Sequence, residues 1–319
     1  VNQRNVLIDA AKGLGILLVV LGHAVQKNTD YDNLIFRLIY SFHMPLFMFL
    51  SGCVAKYYNA QTLTKNITRL LVPYFAWYFL VGYPVQWALT GLRPDFLTYA
   101  YALLKNPDVG LWFLLILYLC HVALFLITAT HRRWGIVPAI LVMIALQVAG
   151  QVTGPKLFAW HIVFFMAGFA VMRHKDLLVQ YRYLIFAIAV IIYTLLFPYW
   201  QFNSNDRVLN AISGLPVFIT GQPRFLYIFK YAVAFSGIAI ALGIVYFLIR
   251  MKAVSKLLAL TGLYTLEIYV SHQLFIDLQF GDTVWQLVAT GFIIALALSL
   301  IVAFVLKKIP VVKTLLYGK

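Results

Sequence analysis

Charge is scarce in this chain of 319 residues: only 11% of positions are Asp, Glu, Lys or Arg. Acids are the scarcer sign, ten against 25 Lys and Arg, and Glu267 is the one glutamate. Soluble domains carry roughly a quarter charged residues. At 63% hydrophobic and a mean hydropathy of +0.88, the chain cannot bury its apolar groups in a water-soluble fold, because more than about half of any folded surface still faces the solvent. Soluble enzymes and disordered tails are therefore excluded. Cysteine is scarce too. Cys53 and Cys120 both lie in apolar runs, which excludes a secreted disulfide scaffold. There is no HExxH, no His or Cys pair at tight zinc spacing, no phosphate-cradling glycine loop and no GxSxG elbow, so no bound metal is expected.

What the chain has is long apolar runs. A helix crossing a bilayer needs about 20 mostly apolar residues. Ten segments answer to that: 6–26, 34–55, 70–90, 110–130, 135–151, 157–173, 183–200, 226–249, 257–279 and 284–306. The runs are continuous, without the alternation of barrel strands, so the expected fold is all-α and polytopic, with about ten transmembrane helices. Residues 92–105 read as an interfacial helix, and 208–220 as a segment apolar enough to dip into the membrane. The first run carries Asp9 and Lys12, unlike the apolar stretch of a cleavable signal peptide. No repeat or linker divides 1–319, which reads as one domain.

The basic residues locate the two sides. With the N-terminus inside, the cytosolic segments (4–12, 56–69, 132–133, 173–182, 250–256 and 307–319) carry 17 Lys and Arg against Asp9 and Asp176. The outer segments carry seven basic residues against seven Asp, and Arg37 and Glu267 fall within spans. Cytosolic loops collect Lys and Arg, so this bias predicts both termini in the cytosol of a cell (cytoplasmic) membrane protein. In a soluble chain a formal charge of +15 would suggest nucleic acid. Here the whole excess faces one side of a bilayer, and lipid rather than nucleic acid is the expected partner.

Ionisable groups inside spans cost several kcal/mol and are functional candidates by default. Asp9, Lys12 and His23 share the first span. Eleven residues bring Lys12 and His23 to one helical face, with a rise of about 16 Å. Asp9 and Lys12, at i and i+3, can neutralise each other. Asp9 lies about 21 Å from His23 along a straight helix, so it cannot orient that imidazole. The plain alternative is a snorkelling Lys with a counter-ion and a structural His.

In the second span, Pro45 removes a backbone donor and frees the Ser41 carbonyl, predicting a break beside His43. His43 then binds substrate or caps the freed backbone; the residues alone leave both open. Arg37 reads as snorkelling near the outer end. In the ninth span Tyr269 and His272 share a face, while Glu267 points toward a neighbouring helix. Arg69, where the cytosol meets the third span, either anchors the helix or holds an anionic group such as phosphate. Trp112, His121 and His161 lie on apolar segments, where packing is the plain reading.

Taken in order, these residues resemble a known family. Arg4 to Gly13 with His23 eleven positions after the basic residue, Phe42-His43-Met44-Pro45-Leu46-Phe47, Arg69-Leu-Leu-Val-Pro73-Tyr74, Leu111-Trp112-Phe113-Leu114, Phe164 to Gly168, and Gly262 through Tyr269 to His272 are similar to acyltransferase family 3 membrane proteins, in the branch related to fucose 4-O-acetylases. The resemblance covers essentially the whole chain. It implies an O-acyltransferase that takes an acyl group, usually acetyl, from cytosolic acyl-CoA and passes it to a sugar hydroxyl of a surface or exported glycan. It implies His23 as general base or acyl carrier. Lys12 and Arg69, with Asp9, would serve the acyl-CoA, and His43 carries a catalytic role. Glu267, Tyr269, His272 and Trp112 would orient the substrate or the thioester carbonyl. Acetyl-CoA is then a donor substrate, and no permanently bound cofactor is expected. In one respect the chain departs from the pattern: Lys12 stands where many members have Arg, removing a bidentate phosphate fork. A transporter or flippase of a lipid-linked glycan accounts for the spans and buried charges equally well, although only one Pro-broken span is evident where transporters pair them in repeated halves.

Overall fold

The computed structural model describes residues 6–56, 60–107, 111–152, 156–211 and 223–319. Among them there are helices and turns but no strand. Six helices are long and apolar enough to cross a membrane, and a bent pair supplies up to one more. This is the all-α, multi-pass architecture that the composition predicts. The chain gathers into two compact units, Val1–Leu50 with Arg173–Val302 and Ser51–Met172 with Ala303–Lys319.

In the first unit α1 (Val6–Asn28) runs as one helix through the Asp9, Lys12 and His23 positions. The predicted break beside Pro45 is present: α2 (Leu34–Tyr40) stops, a turn covers Ser41 and Phe42, and α3 (His43–Val54) resumes. After α11 (Lys175–Leu196) and a tight 3-10 turn at Phe197–Tyr199 come α12 (Asp206–Ala211) and α13 (Pro223–Leu248). The proposed membrane dip at 208–220 falls largely on 212–222, outside the described residues, as do Arg4 and Asp108 of the charge pattern.

The ninth predicted span differs from expectation. It begins earlier, as α14 (Lys252–Leu263), then bends by 61° at Tyr264 into α15 (Thr265–Ser271) and a 3-10 turn, His272–Leu274. The close packing of α14 on α1 accompanies this. A Cβ at Gly13 would strike the Leu258 carbonyl, and one at Gly262 would strike the Asp9 carbonyl, so the two helices touch backbone to backbone. Small residues allow that approach where no water competes. Beyond the bend, α15 still packs on α1, carrying Glu267 and Tyr269 with it.

The second unit contains α8 (Trp112–Trp134), α9 (Ile136–Val152) and α10 (Lys156–Val171), packed in sequence. The third predicted span starts at residue 60 rather than 70. It runs to Thr90 with two π-helical stretches, Ile67–Leu71 and Trp77–Gly82. Each ends two residues before a proline, Pro73 and Pro84. The wider π turn relieves the clash between a proline ring and the carbonyl one turn back. Within the stretch 92–105 a helix forms at Phe96–Lys105, capped by Asp95, whose carboxylate accepts the Thr98 N–H at 2.7 Å. Hydrogen bonds from Thr98 hold that carboxyl below the usual carboxylate range. The last short helix, Pro310–Tyr317, docks against Val72–Ala76, and the Trp77 indole donates to the Leu316 carbonyl at 2.8 Å.

Candidate active site

His23 stands half-buried one turn before the end of α1. Its Nδ1 lies 3.1 Å from the side-chain oxygen of Gln26, three residues on and therefore on the same face. The Tyr40 hydroxyl donates to that same oxygen at 2.6 Å. With that oxygen as the acceptor, Nδ1 carries the imidazole proton and Nε2 the lone pair. That is the tautomer a general base needs. Gln26 and Tyr40 thus do for His23 what Asp9 is too distant to do.

A second imidazole faces it. His272 begins the 3-10 turn after α15, with its ring centroid 5.2 Å from that of His23. Its Nδ1 lies 3.0 Å from the Ile268 carbonyl and 2.8 Å from the Tyr269 carbonyl, both acceptors, so this proton too is on Nδ1. The residue is 1% exposed and its Nε2 has no hydrogen-bond partner. Two links tie the α1 end to the segment after His272: Lys27 pairs with Asp277 at 2.6 Å, and the Asn28 amide donates to Gln279 at 2.8 Å. The result is a pair of neighbouring imidazoles, each offering a lone pair and neither offering an N–H from Nε2. Such a pair accepts hydrogen bonds and takes protons. In this tautomer His272 cannot donate to a thioester carbonyl.

The other candidates divide between the two units. The Tyr269 ring lies 6.2 Å from His272, on the shared face. Glu267 is fully buried within α15. His43 is buried, and its Nδ1 donates to the Ile39 carbonyl at 2.8 Å, the backbone-capping role left open by the sequence; its ring meets the edge of Tyr40 at 4.8 Å. Asp9 and Lys12 occupy the early turns of α1, where Asp9 presents its carbonyl to Gly262. Arg69 and Trp112 belong to the second unit. Arg69 is exposed on the first π stretch, its backbone against Gly318, and Trp112 lies 5.0 Å from His161, whose Nδ1 bonds the Leu157 carbonyl. Among the described residues no three His, Cys, Asp or Glu side chains gather as a metal-ion cluster would.

Arg37 requires a correction. It does not snorkel but is 6% exposed, and its guanidinium donates to the carbonyls of Trp200 at 2.9 Å, Phe197 at 3.0 Å and Pro198 at 2.8 Å. The carbonyl ends of the Phe197–Tyr199 turn supply the acceptors that a buried charge requires. Sequence reasoning also missed Gln26 and Tyr40. The i,i+3 spacing from His23 was a usable signal for Gln26; Tyr40 had none, because the turn at residues 29–33 that brings α2 back beside α1 sets its position.

Comparison with known proteins points the same way. The family described as the acyltransferase domain matches residues 5–308. Nodulation protein NolL of Sinorhizobium fredii is 38% identical over 91 residues, a quarter of each chain. Nodulation protein NolL of Mesorhizobium japonicum is 36% identical over 94 residues, 25% of this chain and 24% of its own. The chain thus matches about a quarter of the length of these curated relatives. No solved structure matches it.

Proposed function

The chain belongs to acyltransferase family 3, and from that premise we propose that it is an acyl-CoA-dependent O-acyltransferase moving acetyl, or a related acyl group, to a sugar hydroxyl of a surface or exported glycan. The observation that carries this reading is the contact of His23 Nδ1 with the Gln26 side-chain oxygen, which leaves Nε2 to take the proton. The acceptor hydroxyl gives its proton to Nε2 as its oxygen attacks the thioester carbonyl. The tetrahedral adduct collapses, the C–S bond breaks, and the thiolate takes the proton back from His23. Tyr269, whose ring lies 6.2 Å from that of His272, polarises the carbonyl. An acyl-histidine route would use the same Nε2 as nucleophile and would leave radiolabelled protein when acetyl-CoA is supplied without acceptor.

The charge pattern supports a cytosolic donor. CoA is strongly anionic, and 17 Lys and Arg on the segments assigned to that side favour its approach. Lys12, set in position by Asp9, meets its phosphates. The rise of about 16 Å from Lys12 to His23 suits a pantetheine arm laid along α1. Ten spans with both termini in the cytosol follow if residues 60–90 and 136–152 also cross and the 43-residue stretch Leu157–Tyr199 crosses twice. A straight helix of that length would be about 64 Å, twice a bilayer core, and it is interrupted at Met172–His174 by a 3-10 turn.

The test is His23→Ala in membranes given labelled acetyl-CoA and acceptor glycan. Acetyl transfer should fall by about 100-fold or more. Near-normal transfer would overturn the assignment.

A further inference from the structure

Beside the imidazole pair, Tyr40 leads into a run of aromatic rings, Phe36, Phe202 and Tyr31, that the chemistry above does not use. Tyr40, whose hydroxyl sets the Gln26 oxygen, stacks on Phe36 at 4.0 Å and meets the edge of Phe202 at 5.3 Å. Phe202 in turn lies 5.7 Å from Tyr31, with the two rings inclined by 31°. Phe36 is fully buried, but Tyr31 and Phe202 are 46% and 40% exposed. The rings therefore form a continuous packed cluster from the protein surface to the neighbourhood of the base.

Polar contacts join the segments that carry the cluster. Arg37 fastens the turn that precedes Phe202, and an ion pair of 3.2 Å between Arg207 and Asp32 joins the two loops carrying Phe202 and Tyr31. Two partly exposed aromatic rings on loops joined in this way are a platform. A lipid chain would satisfy the platform alone. The inner end of the cluster asks for more, because His272 Nε2 is buried and unpartnered and His23 Nε2 carries a second lone pair nearby. The occupant must bring an apolar C–H face for the rings and hydrogen-bond donors for the two nitrogens. A pyranose has both, in axial C–H groups and adjacent hydroxyls.

We propose that Tyr31 and Phe202 form the acceptor subsite, stacking on the C–H face of a hexopyranose whose neighbouring hydroxyls bond to Nε2 of His23 and Nε2 of His272. The inference rests on the transferase reading for which hydroxyl reacts, but sugar binding can be tested without catalysis. Saturation-transfer NMR on the full chain in lipid nanodiscs, with methyl hexopyranosides of galacto, gluco and manno configuration as probes, reads which protons touch the protein. Saturation of the ring C–H protons is expected, reduced about three- to tenfold in Phe202→Leu and in Tyr31→Leu and restored in Phe202→Trp. His272→Ala should weaken the same signal. The proposal is overturned if no pyranoside is saturated by the wild-type protein, or if both Leu variants, shown to be folded by unchanged thermal midpoints, keep the full signal. Labelled acetyl-CoA turnover by the wild-type protein is measured alongside. Its absence with the ring-proton pattern intact would remove the transferase reading and leave the sugar platform standing.

Discussion

The side-chain oxygen of Gln26 sits 3.1 Å from Nδ1 of His23 and carries the Tyr40 hydroxyl at 2.6 Å on its other lone pair. One neutral oxygen thereby meets both the imidazole and the tyrosine hydroxyl and holds the ring in its place. A hydrogen bond to a group that becomes charged in the reaction is worth about 1.5–3 kcal/mol, or about ten- to hundredfold in rate. Gln26→Leu should lower kcat for acetyl transfer by about that factor, with the KM for acetyl-CoA little changed. Gln26→Glu keeps an acceptor facing Nδ1 and should recover part of the loss. Tyr40→Phe, which leaves Gln26 in place, should have the smaller effect. Steady-state kinetics on membranes normalised for protein content check all three. Equal activity in Gln26→Leu and wild type would remove the positioning role.

Arg37 predicts a stability effect rather than a catalytic one. Arg37→Met takes the donors away from three carbonyls around the Phe197–Tyr199 turn. Each buried unsatisfied group costs about 1–3 kcal/mol, so a loss of at least about 2 kcal/mol is expected. Arg37→Lys keeps the charge without the planar fork and should fall between. Thermal unfolding in detergent reads the order.

The contact between α1 and α14 has no room for a methyl group. Gly13→Ala and Gly262→Ala would each drive a Cβ into a carbonyl of the facing helix. Overpacking of this kind costs roughly 1–3 kcal/mol, and separation of the helices would also move α15 and His272 away from His23. Lower thermal midpoint together with lower kcat is the expected signature. Loss of neither would show that the helices part without cost.

Gly318 combines a left-handed φ of 63° with a site where a Cβ would lie 2.6 Å from the Arg69 Cα. Gly318→Ala is therefore strained twice over. It should loosen Pro310–Tyr317 from its seat, breaking the hydrogen bond of the Trp77 indole to Leu316. Altered tryptophan fluorescence and a lower thermal midpoint are the expected readouts.

Features that depend on local pattern were legible in the sequence. Apolar runs located the long helices, Pro45 announced the break before His43, and helical spacing put Tyr269 and His272 on one face. Features that depend on distant partners were not. Arg37 looked like an end-of-helix anchor because its acceptors are carbonyls about 160 residues away. The bend at Tyr264 has no proline to announce it, and α14 with α15 read as one span. The proximity of His23 and His272 is likewise a property of packing, since nothing in either segment refers to the other.

That remoteness bears on how the protein is made. Asn28 and Gln279, which clasp the two sides of the site, are separated by 251 residues of chain. At ribosomal speeds of about 5–20 residues per second, α1 waits roughly 10–50 s after its own synthesis before Gln279 is polymerised. During that interval the polar groups of a nascent membrane helix have none of their final neighbours on the His272 side. Cells translating this chain should therefore depend on membrane-resident chaperones that shelter α1, and stalling translation before residue 272 should leave a product that such chaperones retain.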